Sequence, residues 1–197
     1  MNKKQMILDV AASLFSQKGF NETPISEISR LTGAAEGTIF YHYKTKEGLF
    51  LSILGGFKDR IIEDFHRYIE EQKFESGIQM MEDIISFYLY LSGSMEDRFL
   101  LLHRHDAYEL STNNAQCREY LEEIYICLID IFEKAISLGQ KDCSIDTEVH
   151  PRKTAMIIFG MVDALVRFNT YNLYDAGALY DELINSCRRI LKAEIKD

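Results

Sequence analysis

Lys46 is the residue whose type and position first suggest chemistry. It lies between Thr45, a good N-cap for a helix, and Glu47, whose carboxylate the helix dipole favours in a first turn. A lysine in the same turn is unfavourable for the helix itself. It becomes favourable when a phosphate lies in front of the helix, because the first backbone N–H groups also point there. The position of Lys46 therefore indicates a phosphate-binding site.

One other stretch, His103-x-His105-Asp106, has residue types that could perform catalysis or bind a metal. On a helix, however, two residues that are two apart point about 200° from each other, which is a poor arrangement for two ligands of one metal. We therefore predict no catalytic residue, no metal ligand and no cofactor. An all-α enzyme is kept as the alternative from another functional class.

The four cysteines contain no CxxC pair, so neither a zinc site nor a disulfide framework is indicated: Cys117, Cys127, Cys143 and Cys187. Cysteine often behaves as a small buried hydrophobic residue, and buried free thiols are the simplest interpretation. A redox sensor that uses Cys117 or Cys127 is the alternative.

The elements that must position Lys46 are predicted to be two short helices joined by a tight turn, within residues 23–46. Thr23 is a predicted N-cap, Pro24 suits a first turn, and an apolar stripe follows at Ile25, Ile28 and Leu31. Thr32-Gly33-Ala34 is the predicted turn, and the second helix is expected from about Ala35 to Tyr43. In a helix-turn-helix motif the second helix enters the major groove, so double-stranded DNA is the predicted ligand.

Residues 5–52 resemble the N-terminal DNA-binding domain of the tetracycline-repressor (TetR) family. The resemblance rests on Gly19-Phe20, Thr23, Ile28 and Gly33, and above all on the run GTIFYHYKTKEGLF from Gly37 to Phe50. It implies an all-α protein, in which an N-terminal three-helix helix-turn-helix domain is joined through a long fourth helix to a helical domain for ligand binding and dimerisation. The expected domains are residues 1–46 and 47–197.

Carried over position by position, the resemblance implies that one group of residues contacts the phosphates or sugar edges of DNA: Thr23, Tyr41, His42 and Lys46. A second group, Gly37 and Thr38, is implied to approach base edges. The chain departs from the family pattern at three positions. Ser26 stands where a basic residue is frequent, Ala35 where a capping serine is common, and Glu36 where a lysine is frequent. Glu36 can accept a hydrogen bond from cytosine N4, while Arg30 is either a guanine contact or part of a solvated helix face. The predicted DNA-binding residues are Thr23, Ser26, Arg30, Glu36, Gly37, Thr38, Tyr41, His42 and Lys46.

The distribution of charge matters more than its total. The 197 residues carry a net charge of −9, yet residues 1–50 hold six basic and five acidic side chains, a net charge of +1, which leaves −10 for the remainder. The acidic excess should keep phosphate away from the rest of the molecule. The sequence has no apolar run of signal-peptide or membrane-spanning length, so we expect a cytoplasmic protein that does not bind a membrane.

The remaining pattern is helical throughout, with no strand alternation. A first helix with an apolar stripe is expected to end at Gly19, and a fourth helix to run from Lys46 to about Gln72. Five more helices are predicted over residues 77–91, 95–110, 115–138, 150–171 and 175–195, the last two starting at Pro151 in a first turn and at Asp175 as an N-cap. Gly55-Gly56 in the fourth helix is either a hinge or a site of close packing against the first helix.

Aromatic residues are frequent in the larger domain, and some of them are expected to line an apolar cavity for a small effector, with His103 or Tyr88 as a polar anchor. Ordinary core packing is the alternative for each of them. The predicted pocket residues are Phe87, Tyr88, Leu91, Phe99, Leu102, His103, Tyr125 and Phe159. The apolar character of these helices favours a hydrophobic or aromatic effector, whose identity the sequence does not give.

The last two helices have wide apolar faces. The family resemblance implies that they form a four-helix interface between two subunits, and packing within one chain is the alternative. The predicted interface residues are Ile158, Val162, Leu165, Leu183, Cys187 and Ile190.

Together these features predict a homodimeric transcription regulator, a repressor that binds an inverted-repeat operator and releases it when a small-molecule effector changes the spacing of its two DNA-binding heads. An activator and a regulator that responds to thiol oxidation are the alternatives.

Overall fold

A computed structural model of the chain describes residues 2–175 and 177–192. Ten α-helices and one 3-10 turn occur in these ranges, which contain no strand, so the all-α fold class is confirmed. The helices are α1 Lys3–Lys18, α2 Ile25–Thr32, α3 Glu36–Tyr43, α4 Lys46–Glu71, α5 Gly77–Ser94, α6 Glu96–His103, α7 His105–Asn113, α8 Ala115–Lys141, α9 Pro151–Thr170 and α10 Tyr180–Ile190, with the 3-10 turn at Gly177–Leu179. None of the described helices combines the length and the apolar character that crossing a bilayer requires.

The helices are distributed over two compact units. The first comprises the described residues up to Asp64 together with those from Met95 to Ile124. The second comprises Phe65 to Ser94 and the described residues from Tyr125 onward. The predicted functional division between residues 46 and 47 does not follow these units, and it stays a prediction.

In the first unit, α1 packs against both α2 and α6. Next to α1, the rings of Phe15, Phe20 and Phe50 form a cluster with centroid separations of 5.4 to 5.9 Å. Phe15 and Phe50 are almost fully buried, and burying one such side chain stabilises a fold by about 1.5–3 kcal/mol. This cluster fixes the end of α1 and the start of α4, the two elements between which α2 and α3 lie in the chain.

In the second unit, α5 packs against α9 around Phe159. The ring of Phe159 lies 5.8 to 6.0 Å from the rings of Tyr88, Tyr125 and Phe132. The hydroxyl of Tyr88 donates a 2.6 Å hydrogen bond to Asp163 of α9. This unit therefore has an aromatic core with a polar group at Tyr88.

The start of α5 is fixed by the loop that follows α8. The carboxylate of Asp142 accepts a 2.7 Å hydrogen bond from the Gly77 amide, and the Ser144 hydroxyl oxygen accepts one from the Ile78 amide at 3.2 Å. A Cβ atom on Gly77 would lie 2.0 Å from the backbone nitrogen of Gly139. Glycine is therefore required where these two backbones meet.

Several helix boundaries differ from the predicted ones: α7 and α8 extend to Asn113 and Lys141, beyond the predicted ends at 110 and 138, and three further differences follow. α5 continues through Ser94, and the hydroxyls of Ser92 and Ser94 donate to the carbonyls of Leu89 and Leu91 in the same helix. The single helix predicted for residues 95–110 is two helices, divided at Arg104, whose backbone is extended (φ −73°, ψ 146°). Asp175, the predicted N-cap of the last helix, accepts a hydrogen bond from the amide of Gly177 and so precedes the 3-10 turn. The helix α10 itself begins later, at Tyr180. Its predicted end near Ile195 lies outside the described residues.

The two glycines in the middle of α4 have different surroundings. A Cβ atom on Gly55 would lie 3.0 Å from the ring of Tyr120 in α8, so this glycine packs closely, though against α8 and not against α1. A Cβ atom on Gly56 would meet no atom of the described residues within 4 Å. The hinge hypothesis remains a prediction.

Candidate nucleic-acid interface

The turn between α2 and α3 has the predicted location and a clear physical basis. Gly33 has a left-handed backbone (φ 62°, ψ 16°), which glycine adopts without the steric cost that other residues incur. The hydroxyl of Thr32 donates to the carbonyl of Ile28 at 2.7 Å and accepts from the amide of Ala34 at 3.3 Å. These contacts end α2 and allow α3 to start at Glu36, as the helix-turn-helix prediction requires.

The inner face of α3 holds it against the first unit. Ile39 and Tyr43 are buried, and the Tyr43 hydroxyl donates a 3.1 Å hydrogen bond to the carbonyl of Lys4 in α1. Burial raises the pKa of Tyr43 above its usual value. Tyr43 therefore has a packing role, and its hydroxyl is directed into the protein.

The outer face of α3 is exposed and includes Glu36, Gly37, Tyr41 and His42. Tyr41 is 73% exposed, and its ring lies edge-on to that of His42 with a centroid separation of 5.3 Å. Thr38 is half-buried. A Cβ atom on Gly37 would meet nothing within 4 Å in the described part of the chain, so packing there does not require glycine. An open glycine in the first turn leaves the backbone accessible to a partner.

Two residues of the motif do not have their predicted roles. Thr23 is fully buried, and its hydroxyl lies within hydrogen-bonding distance of the carbonyls of Gly19 (2.8 Å) and Leu14 (3.3 Å), while the N-cap of α2 is Pro24. The predicted capping and phosphate contacts of Thr23 are therefore wrong, because its only proton is directed into the protein. Leu31 is half exposed, which means that the predicted apolar stripe of α2 does not include it.

Ser26 and Arg30 lie on the exposed surface of α2. The guanidinium of Arg30 is 4.0 Å from Glu27, whose carboxylate also accepts a 2.6 Å hydrogen bond from Lys18. Ion pairs as exposed as that of Arg30 contribute little to stability. Arg30 can therefore reorient towards a ligand at small cost.

The start of α4 is built as predicted. The Thr45 hydroxyl oxygen accepts a 2.8 Å hydrogen bond from the amide of Gly48, and a Cβ atom at position 48 would lie 2.1 Å from the Tyr43 carbonyl oxygen. The Lys46 ammonium donates a 3.2 Å hydrogen bond to the carbonyl of Asn21 and lies 4.7 Å from the centre of the Phe20 ring. Burial lowers the pKa of Lys46, while the charges of Glu22 and Asp106 raise it. An ammonium has three donor hydrogens, so two are not used by the Asn21 contact.

The model of the family described as "Bacterial regulatory proteins, tetR family" matches residues 7–53. The HTH-type transcriptional regulator QacR of Staphylococcus aureus (strain Mu50) is 30% identical over 168 residues, which cover 82% of this chain and 85% of QacR. The fatty acid metabolism regulator protein of Bacillus subtilis (strain 168) is 25% identical over 185 residues, 92% of each chain.

This chain belongs to the TetR family. It is a DNA-binding transcriptional regulator. Among solved structures, that of FadR from Bacillus subtilis in complex with stearoyl-CoA has the same fold, with a TM-score of 0.75 and 22% identity over 97% of this chain and 99% of that one.

For this TetR-family chain, the predicted pocket residues are divided between the two units. Phe99, Leu102 and His103 belong to the first unit, where all three are buried. The second unit holds Phe87, Tyr88, Leu91, Tyr125 and Phe159, of which only Phe87 and Tyr125 are half-buried. Tyr88, the predicted polar anchor, contacts Asp163, which no motif in the sequence singles out.

Four of the predicted interface residues are buried within the single chain: Ile158, Val162, Leu183 and Cys187. The prediction for Ile158, Val162 and Cys187 is wrong, because their side chains pack inside the second unit and cannot present a surface to another subunit. Leu183 still lines a shallow groove beside α9, so its place in the interface stays a prediction. Leu165 and Ile190 are half-buried. The exposed apolar residues of α9 are instead Met156, Ile157 and Phe168, which are 53%, 57% and 44% exposed.

The stretch that suggested catalysis is not a cluster. His103 is buried at the end of α6, and His105 is exposed at the start of α7. Asp106 accepts a 2.9 Å hydrogen bond from Arg104. Within residues 2–175 and 177–192, no group of three or more potential metal ligands is suitably arranged.

Proposed function

We propose that this regulator is a repressor that binds an inverted-repeat operator as a homodimer and leaves it when a small effector binds. On this proposal the protein acts in the cytoplasm and has no enzymatic activity. The observation that carries the proposal is the outer face of α3, where polar side chains surround a glycine backbone that no described residue covers.

The proposed DNA contacts are of two kinds. Tyr41, His42 and Lys46 supply donors for phosphate oxygens, which set affinity and register. Glu36, Gly37 and Thr38 lie at the N-terminal end of α3, the part of a recognition helix that contacts base edges. Two further proposed contacts, Ser26 and Arg30, lie on α2 and are exposed. Two such heads engage an operator together when their centres are about 34–36 Å apart.

The proposed effector site is the aromatic cluster of Tyr88, Tyr125 and Phe159 in the second unit, together with Phe87, which is linked to Tyr88 through the ring of Phe65. The half-buried ring of Tyr125 offers an apolar ligand a contact surface, as does the face of Phe87 that is not stacked on Tyr68, and the Tyr88–Asp163 pair offers it a hydrogen-bonding group. The fold is shared with a FadR protein whose structure contains stearoyl-CoA. Long-chain acyl thioesters are therefore the first effector class to test.

The proposed dimer surface is the outward side of α9. Ile157, Gly160 and Phe168 are exposed, and their spacing places them along one side of the helix. A shallow apolar groove of about 300 Å³ lies between α9 and α10, lined by Met161, Leu165, Leu179, Glu182, Leu183 and Ser186. A second subunit packed there would bury apolar side chains that water now covers, which favours association.

The test is a selection of genomic DNA fragments by the purified protein at moderate salt, followed by a footprint on the best fragment. The proposal requires a protected inverted repeat, and loss of enrichment for a protein carrying His42→Ala and Lys46→Ala. The footprinted DNA is then titrated with stearoyl-CoA, with free coenzyme A as the matched control. Transcription in vitro from the promoter on the footprinted fragment, with and without the protein, distinguishes a repressor from an activator. Equal enrichment by the wild-type and doubly substituted proteins would show that α3 does not read DNA.

A further inference from the structure

The turn that follows α1, Gly19-Phe20-Asn21, is contacted by two charged elements of the first unit. The Lys46 ammonium of α4 lies over the Phe20 ring and donates to the Asn21 carbonyl. Arg104 and Asp106, at the start of α7, lie against Gly19: a Cβ atom there would be 2.8 Å from the Arg104 guanidinium and 3.4 Å from the Asp106 carboxylate. A phosphate-binding candidate and an ion pair thus share one three-residue turn.

Arg104 fixes the position of the Asp106 carboxylate. Its Nε donates to Asp106 at 2.9 Å, and its Nη1 donates to the carbonyl of Ser16 in the last turn of α1 at 3.0 Å. The side chains of Arg104 and Asp106 are 26% and 18% exposed. A partly buried, doubly anchored ion pair is less screened by salt than a surface pair. The carboxylate is therefore a fixed negative charge and not a mobile one.

The charge of Asp106 acts on Lys46. Burial lowers the pKa of Lys46, and the negative charges of Glu22 and Asp106 oppose that effect. Glu22 is exposed and directly follows the turn in sequence, whereas Asp106 is held by Arg104 on another helix. Glu22 has the larger effect on Lys46, and Asp106 adds a smaller one from a position that Arg104 fixes against the turn contacted by Lys46.

We propose that Asp106 is a positioning residue for DNA binding: its carboxylate, fixed by Arg104, draws the Lys46 ammonium towards the Gly19–Asn21 turn and competes with a DNA phosphate for it. The inference rests on the proposed phosphate contact of Lys46. It assigns a role to a residue outside the helix-turn-helix and outside the aromatic cluster. Because the pair also contacts the end of α1, a shift of α7 relative to α1 changes the charge that Lys46 experiences.

The test is a double-mutant cycle on operator affinity, with wild type, Asp106→Asn, Lys46→Met and the double variant. Fluorescence anisotropy on the footprinted operator is run at a salt concentration where Lys46→Met still binds measurably. Asp106→Asn is expected to tighten binding about two- to fivefold, the range of one partly exposed charge interaction. In the Lys46→Met background the same change is expected to have no effect.

Two controls separate this role from a purely structural one. Asp9→Asn removes a carboxylate that is likewise paired with an arginine, Arg98, between α1 and α6, and we expect no coupling of this change to Lys46. Asp106→Glu keeps the charge and should restore wild-type affinity, and thermal unfolding of each variant reports its stability.

Three results would overturn the inference. The first is weaker operator binding by Asp106→Asn than by the wild type, and the second is an equal change in operator affinity with Lys46 and with Met at position 46. The third is a coupling of Asp9→Asn to Lys46→Met as large as that of Asp106→Asn. Each counts only while the wild type binds its operator specifically. Failure of the wild type to prefer its operator over scrambled DNA would instead overturn the proposed function, and the inference with it.

Discussion

Replacing Gly37 with alanine separates the folding of the recognition helix from its binding to DNA. A Cβ atom at this position meets no described atom within 4 Å, and alanine is favoured over glycine in a helix by up to about 1 kcal/mol. The Gly37→Ala variant should therefore be at least as stable as the wild type. If the backbone lies against base edges, the added methyl group must displace DNA or helix, and overpacking of this kind costs about 1–3 kcal/mol.

This cost corresponds to a loss of operator affinity of about 5-fold to 150-fold for each head. The assay is fluorescence anisotropy with the footprinted operator, together with urea unfolding of the same preparations. Gly93→Ala is the matched control, since Gly93 is also exposed and helical, and a Cβ atom on it would likewise meet no described atom within 4 Å. It should gain stability without losing affinity. Wild-type affinity in Gly37→Ala would refute the close approach of this backbone to DNA.

Three further predictions concern other parts of the chain. Burial raises the pKa of the Cys117 and Cys127 thiols to about 11, so both are protonated at neutral pH. A double serine variant should therefore still release its operator when effector is titrated in, and loss of that release would support thiol sensing. Ile157→Glu places a charge on the proposed dimer surface and should raise the dimer dissociation constant about a hundredfold in sedimentation experiments, whereas the same change at the exposed Ile126 of α8 should not. Asp142→Ala removes the carboxylate that caps α5 and should lower the free energy of unfolding by about 1 kcal/mol in urea; an unchanged midpoint would show that the cap is dispensable.

The features that local sequence predicted correctly are those determined within one or two turns of helix. The Thr45 cap, the left-handed Gly33 and the position of Pro151 at the start of α9 depend on a few neighbouring residues, and each occurs as expected. Six apolar residues of α8 recur at intervals of three and four, a spacing that identifies a buried face, and all six are buried: Cys117, Leu121, Ile124, Leu128, Ile131 and Ala135.

The features that were missed depend on distant partners. Thr23 has the residue type of an N-cap, but its hydroxyl is used by carbonyls of Leu14 and Gly19 that only the folded chain brings near. The break between α6 and α7 has no proline or glycine to announce it. It occurs at Arg104, whose guanidinium is bound to Ser16 of α1, more than eighty residues earlier in the chain. No local pattern in the sequence indicates this contact.

The predicted dimer interface shows how a correct pattern can lead to a wrong assignment. The stripe containing Ile158 and Val162 was correctly identified as apolar, yet it is the face that α9 buries within its own unit. A helix with a second apolar stripe needs a second partner for that other face. On α9 that other face includes Ile157 and Phe168, and the sequence alone does not show which of two apolar stripes packs first. Because burial within the chain removes one stripe from consideration, the outward stripe is the surface on which a second subunit can act, and the dimer proposal now depends on it.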